Sequence, residues 1–276
     1  VEHCVNETIE RAAKSVVASQ QTMLNGPIQG GLFKDLRTKS AKGMAAFDFA
    51  VHPIGGIVPV MEQHRYKDYA KIMLATLPYL PPERPVHMFG CGHPMLFPMS
   101  IALGADLFDS AAYALFARDG RLLTPWGTQK IGTLVEWPER MPCVSAHTPE
   151  EVRAMPKDEK TALLARYNLE VTLSELDRCK QAIRDGTLWR LAERRSHQHP
   201  ALREAFLWIS TSPHNKKLDL QFLDELILDD RDAARDRDRD AGKWEYAWNW
   251  IVESQESPRK GGEPWGGEDT HVRPHI

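Results

Sequence analysis

Four short apolar runs in the first 110 residues end on side chains that can do chemistry. One closes on Gln29 with Gly30 and Gly31, the next on Gly55 and Gly56, the third on Phe89 and Gly90, and the fourth on Asp109. A glutamine can read an amide edge, an aromatic ring can stack on a flat ligand, and glycines let that ligand approach the backbone. The set suits a heterocyclic base better than a phosphate. Each member also has a plainer reading. Asp109 precedes Ser-Ala-Ala, where it would cap a helix, the glycine pairs mark tight turns, and Phe89 is a core-forming type. His52, His87 and His93 lack metal-ligand spacing and read as satisfied strand-end or loop histidines. The coincidence of all four run ends is the informative feature.

These residues need elements that bring them to one place. From Leu24 to Asp109 each apolar run is followed by a stretch of helical period, a βαβα pattern. Strands are predicted over 25–29, 47–54, 85–89 and 105–108. Helices are predicted over 34–46, through Met61, Tyr69 and Met73, over 95–103 and over 110–117, with Leu36, Ser40, Gly43 and Met44 sharing one face of the first. Crossovers of this length join parallel strands with one hand, so the C-terminal strand ends share a face, where sites form in α/β folds. Upstream, Asn6 to Gln20 reads as an amphipathic helix with Ile9, Ala12, Ala13, Val16 and Val17 on its apolar side, so the sequence is expected to open inside a domain.

Downstream, 149–207 is helical in pattern with Gly186 as a break. Residues 176–203 carry seven Lys/Arg against three Asp/Glu, either a solvated helix face or a surface for phosphates. Residues 229–240 read as a solvated linker, Trp244, Tyr246, Trp248 and Trp250 as an aromatic cluster, and 258–276 as a Gly- and Pro-rich exit from the domain.

With 42% hydrophobic and 26% charged residues in 276, disordered and fibrous classes are excluded. A net charge of −3 excludes a partner held by a globally basic surface and leaves nucleic acid to a local patch. Cys4, Cys91, Cys143 and Cys179 are far apart with no C-x-x-C pair, which fits neither a disulfide framework nor a complete zinc motif and suits a reducing compartment. No run has the length of a membrane span and no signal peptide is recognised, so no membrane partner and a cytoplasmic location are expected.

The stretches IQGGLFKDLRTKSAKGM, FDFAVHPIGGIVPVMEQHRYKD, RPVHMFGCGHPMLFPMSIALGADLFDSAAYALFARDGRLLTPWGT and NLEVTLSELDRCKQAIRDGTLWRLAERRSHQHPALREA together resemble the tRNA-guanine transglycosylases, specifically the archaeal members that prepare archaeosine. The resemblance covers most of Ile28 to Phe206. It implies a (β/α)8 TIM-type barrel and exchange of guanine in tRNA for a 7-deazaguanine, in archaeal members 7-cyano-7-deazaguanine, through a covalent aspartyl-ribosyl intermediate. By the same resemblance Asp109 is the nucleophile and Gln29 reads the base edge. Gly55 and Gly56 line the base pocket, Phe89 stacks on the base, and Gly30 and Gly90 complete the substrate-binding set. Arg118 and Arg121 fall where members of the family hold phosphates near the target nucleotide. No metal or redox cofactor is needed for that exchange, and the target base must leave its stack to react.

Two departures qualify the match. Only four strands are counted, corresponding to the second half of the family's barrel, and the Asp-Ser-Gly motif of the other catalytic aspartate is missing from the sequence. The expected organisation is therefore half a barrel over 1–140, a helical subdomain over 141–215 and a C-terminal extension over 216–276. An N-terminal half chain is the partner this implies, with homodimerisation left open. The family's C-x-C-x-x-C and histidine zinc set is reduced to Cys143 and His147, with Tyr167 where the histidine would precede Asn-Leu, so no zinc is expected. Two alternatives stand beside the enzyme: a noncatalytic tRNA-binding subunit, and a transglycosylase acting on DNA.

Overall fold

The computed structural model describes residues 1–19 and 22–211, a mixed arrangement of helices and short strands. Residues 212–276, which include the last positions of the predicted subdomain and the whole predicted extension 216–276 with its aromatic cluster and charged linker, lie outside the described residues. Among the described residues no helix is long and apolar enough to cross a membrane.

The βαβα pattern yields a parallel sheet whose strands are shorter than predicted. β1 (His52–Ile54) pairs with β2 (Val86–Met88), which pairs with β3 (Leu107–Phe108), all parallel. The run predicted as a strand at 25–29 is attached to β1 by two isolated parallel bridges, Asn25 to Val51 and Ile28 to Ile54. Gly26 and Pro27 between them account for that, since proline has no N–H to give a ladder. The register is continuous across all four segments: Ile28 pairs with Ile54, Ile54 with Met88, and Met88 with Phe108.

Helices cover one face of this sheet. α1 (Glu2–Ala18) precedes the first strand segment and packs on α2 (Lys34–Ala45), with Ile9 seated where a side chain on Gly43 would stand. α1 starts earlier than predicted, and Val17 faces solvent rather than the core. On α2 the buried stripe is Arg37, Ser40, Ala41 and Met44, one position round from the predicted face. The helix expected after β1 is split into α3 (Val58–Glu62) and α4 (Tyr66–Thr76), separated at His64, which takes a left-handed φ of 53°. α5 (Phe97–Ala102) follows β2, and α6 (Ala112–Arg118) follows β3.

An antiparallel hairpin of β4 (Arg121–Thr124) and β5 (Gly127–Lys130) follows, an element absent from the sequence reading although its Pro125-Trp126-Gly127 corner is a turn signal. Beyond it, a capping box at Thr148 and Glu151 opens α7 (Pro149–Ala154). α8 (Lys157–Arg184) has acidic residues in its first turn and Arg184 in its last, both matched to the helix dipole. It ends at Gly186 as predicted, with Thr187 N–H donating to the Ala182 carbonyl at 2.7 Å, and α9 (Leu188–Ser196) and α10 (Pro200–Thr211) follow.

Two cores result. The larger packs Ile28, Ile54 and Met88 of the sheet against α2, α4, α5, α9 and α10, while the smaller gathers Leu122, Ile131, Val144, Leu164 and Tyr167. Buried Asn168 ties the hairpin to α8: its Oδ1 accepts from Leu123 N–H at 2.7 Å and its Nδ2 donates to the carbonyls of Tyr113 and Arg121 at 3.0 and 3.1 Å. Fully buried Glu175 joins α8 to α9, accepting from Arg195 at 2.6 and 2.9 Å and from Arg178 at 3.1 Å. Arg178, Lys180, Arg195 and Arg203 of the basic stretch are thus engaged with carboxylates of the protein itself, which leaves fewer of its cations for phosphates than the charge count implied.

Candidate active site

Register sets the site. One residue beyond the aligned row Ile28, Ile54, Met88 and Phe108 stand Gln29, Gly55, Phe89 and Asp109, a second row across four adjacent strand ends. Successive side chains alternate between faces, so the first row enters the helix-covered core and the second points the other way. Burial agrees. Ile28, Ile54 and Met88 are inaccessible, whereas the Phe89 residue is 55% exposed and the Asp109 side chain 48%. At about 4.8 Å per strand the row spans roughly 14 Å, enough to hold a purine with its sugar at one end.

Asp109 does not cap α6. That turn is served by Ser110, whose hydroxyl accepts from Ala112 N–H at 2.9 Å. The Asp109 carboxylate instead receives two hydrogen bonds on the same oxygen, Oδ1, from Gly90 N–H at 2.7 Å and from His87 Nε2 at 2.8 Å. The rotamer is fixed from that side, which orients Oδ2 as the oxygen available for attack. His87, read from sequence as a satisfied strand-end histidine, is therefore in direct contact with the candidate nucleophile. The signal was its place two residues before Phe89, which puts both on one face of β2, and their rings meet edge-on at 5.5 Å.

Gln29 reaches along the row to Gly55. A Cβ on Gly55 would lie 2.6 Å from the Gln29 Nε2, so the absence of a side chain is what admits the amide. The Gly55 N–H donates to Ile28 and its carbonyl accepts from Arg37, so its own polar groups serve the fold. Gly30 packs on the backbone of Leu36 and Arg37, and Gly90 turns beneath Asp109. Gln29, Gly55, Gly56, Phe89, Gly90 and Asp109 are thus brought together at one edge.

Arg118 and Arg121 are not in that row. Arg118 is the last residue of α6 and Arg121 opens β4 just beyond it, about 10 Å of helix away. Arg118 is exposed, while Arg121 sits over the Phe116 ring at 3.9 Å and pairs with Asp119 at 2.8 Å.

The place of the family's zinc set is built differently. Tyr167 is buried in the smaller core, stacks against Trp137 at 5.4 Å and accepts from Glu139 N–H. The Cys143 thiol lies by the Glu170 carboxylate and is pushed up to about 12, by burial first and then by that charge. The His147 side chain is exposed while its carbonyl accepts from Trp137 Nε1 at 2.7 Å. A phenol in the core and a protonated thiol beside a carboxylate do not make a tetrahedral donor set. Among the described residues no three metal-ligating side chains converge.

A family model for queuine tRNA-ribosyltransferase matches residues 1–201. Similar proteins include the tRNA-guanine(15) transglycosylase of Methanocaldococcus jannaschii, 49% identical over 209 residues that cover 73% of this chain and 32% of that protein. Those of Thermococcus kodakarensis and Methanococcus maripaludis are 47% identical over 199 residues and 46% identical over 212 residues, covering 72% and 74% of this chain and 34% and 32% of those proteins. The chain spans about a third of the length of the relatives it matches.

Proposed function

The chain belongs to the queuine tRNA-ribosyltransferase family, among its archaeal-type tRNA-guanine transglycosylase members, and from that premise we propose that it carries the nucleophile half of a base-exchange site acting on tRNA. The observation that carries this reading is the placement of Asp109: at a strand end, in the row of Gln29, Gly55 and Phe89, with one carboxylate oxygen held by two donors.

The chemistry follows from that row. A guanine turned out of the tRNA lies along the strand ends, with Phe89 stacked on its ring and Gln29 at its polar edge. Asp109 Oδ2 attacks C1′ of the ribose as the bond to the base breaks, giving a covalent ribosyl ester and free guanine. A 7-deazaguanine then enters the slot and reverses the step, and 7-cyano-7-deazaguanine is the substrate its archaeal relatives suggest. Oδ1 keeps its two donors throughout, so the departing carboxylate is re-formed in a fixed orientation. Arg118 and Arg121 contact phosphates beside the target nucleotide.

The sheet is the C-terminal half of a (β/α)8 barrel. Its open face, where Phe89 and Leu107 are half exposed, is covered by the remaining strands, supplied by an N-terminal half that also brings the second acid or base.

Protein purified through a tag on this chain, with any companion chain retained, is incubated with tRNA and denatured. A covalent RNA adduct is expected with the wild type and none with Asp109→Asn. Guanine exchange by the Asn variant at the wild-type rate sinks the assignment. Binding of tRNA without adduct favours the noncatalytic reading, and adduct formation on duplex DNA alone favours the DNA-directed one.

A further inference from the structure

Beneath the row of strand ends lies a charge that the chemistry above does not use. Arg37 of α2 is only 1% exposed. Its Nε donates to the Gly31 carbonyl at 2.8 Å, and its Nη1 to the carbonyls of Ile28 and Gly55 at 3.2 and 2.9 Å. Its charge is met by carbonyl dipoles alone: burial pushes the guanidinium down to about 10, and no carboxylate acts to raise it. Nη2 is buried and has no hydrogen-bond partner. Such a group is costly to keep, and a loop clamp made of three carbonyls would need only neutral donors.

The direction of Nη2 gives the charge a use. A Cβ added to Gly56 would lie 3.5 Å from Nη2 and 3.7 Å from the Gln29 Oε1. Gly56 has a φ of +70°, a conformation that favours glycine, so this position keeps no side chain between the guanidinium and the base slot. With no Cβ at Gly56, a ligand in the slot can come closer to a cation that is itself shielded from water.

The proposed reaction creates negative charge in that slot. As C1′–N9 breaks, its electron pair leaves with the purine and spreads from N9 over the ring to the C6 oxygen, while an Asp109 lone pair forms the new bond to C1′. The released purine then takes a proton from the second acid that the N-terminal half brings. We infer that Arg37 is the fixed positive charge that stabilises the departing purine anion, acting across Gly56. The inference rests on the reading of Asp109 as the nucleophile. Arginine suits the role because it stays charged at working pH and is held in place before the charge develops. It lies one layer below the ligand, so it is an electrostatic positioning residue rather than a group that touches the base.

The test separates this from a loop clamp. Single-turnover base release is measured, on protein purified through the chain's tag, from tRNA carrying either guanine or the more acidic leaving base 8-azaguanine at the target nucleotide. Arg37→Met should slow guanine release by about 10- to 100-fold, the scale of a charge one layer away at an effective dielectric of about 20, yet slow 8-azaguanine release by no more than about threefold. Arg37→Lys, which keeps the charge, should preserve the wild-type ratio between the two bases. Equal losses on both bases in Arg37→Met overturn the inference and leave Arg37 a clamp. Should the Met variant not fold, wild-type binding of free 8-azaguanine decides. Affinity should rise about tenfold or more as that base ionises, over a pH range where affinity for guanine, sensing the same His87 and Asp109, stays level. An anion bound no more tightly than the neutral base overturns it. Asp109→Asn is run in parallel: full exchange by that variant rejects the nucleophile, whereas its loss with uniform Arg37 effects rejects only the role of Arg37.

Discussion

Gly55→Ala is the sharpest probe of the base slot, because its effect on folding and its effect on binding point in opposite directions. The added Cβ would lie 2.6 Å from the Gln29 Nε2 and 3.2 Å from its Cδ and Oε1, so the amide must withdraw by roughly 1 Å to reach ordinary contact. The obstacle is the end of a flexible side chain, and Gly55 does not have a left-handed φ, so alanine suits the backbone there. Stability should hold or rise by up to about 1 kcal/mol through the less flexible unfolded chain. Binding should fall. Moving the amide removes one hydrogen bond to the base and leaves an acceptor on the ligand unpaired, together about 1.5–3 kcal/mol, or roughly 10- to 100-fold in affinity. Calorimetric titration with a free 7-deazaguanine measures the loss, and a thermal melt of the same sample measures the fold. Gln29→Ala should cost a similar factor, and the double variant should cost no more than either single, because both act through one amide. An affinity within twofold of wild type, or losses that multiply in the double variant, would refute the placement of Gln29 at the base edge.

Two further outcomes test the scaffold. Glu175→Gln removes the buried carboxylate that holds Arg195, itself 16% exposed, and should cost about 3–5 kcal/mol and lower Tm by about 6–20 °C, while a Tm within about 2 °C of wild type contradicts the structural role given to this ion pair. His93 is pushed down to about 4, by burial first and then by the neighbouring His64 and His199, while its Nδ1 accepts from Met95 N–H and its Nε2 faces the Thr128 hydroxyl. The unfolded imidazole titrates near 6.5, so between those values the unfolded chain binds more protons. The stability that neutral His93 gives is therefore complete above about 6.5 and is lost as pH falls toward 4, up to about 3 kcal/mol. His93→Asn should flatten that part of the wild-type profile in urea unfolding at pH 4.5 and 7, and parallel profiles for the two proteins would reject the assignment.

What could be read in the chain beforehand was the place where each strand stops. Apolar runs punctuated by glycine or a polar residue announce strand ends directly, and parallel register did the rest by aligning positions 29, 55, 89 and 109. Pattern alone could not say that Pro27 and Gly26 would reduce the first strand to two bridges, nor that Asp109 would turn to Gly90 and His87 rather than to the helix that follows it. Arg37 was hidden by its type. Arginine is ordinarily a surface residue, and the stripe drawn through Leu36 ran one position off the true one. Its signal was a cation at helical spacing from Ser40, Ala41 and Met44, all of them buried. The basic stretch misled for the opposite reason: a charge count cannot see that Arg178 and Arg195 turn inward to Glu175 and Arg203 to Glu193.

The site depends on register more than on any single contact. A slip of one residue between β2 and β3 would carry Asp109 to the helix-covered side and bring Phe108 out in its place, because side chains alternate faces. Strands of two and three residues have little ladder with which to resist that slip. The resistance comes from Asp106, just before β3. Its Oδ2 accepts from Val86 N–H at 2.7 Å while its own N–H donates to the Val86 carbonyl at 2.9 Å, so one residue holds both polar groups of the first position of β2. Shifting β3 by one would release both and would also tear Asp109 Oδ1 from Gly90 N–H and His87. The bonds that aim the carboxylate are therefore part of the bonds that set the register. This is how a sheet so short can still deliver a carboxylate to the end of the row that Gln29, Gly55 and Phe89 complete.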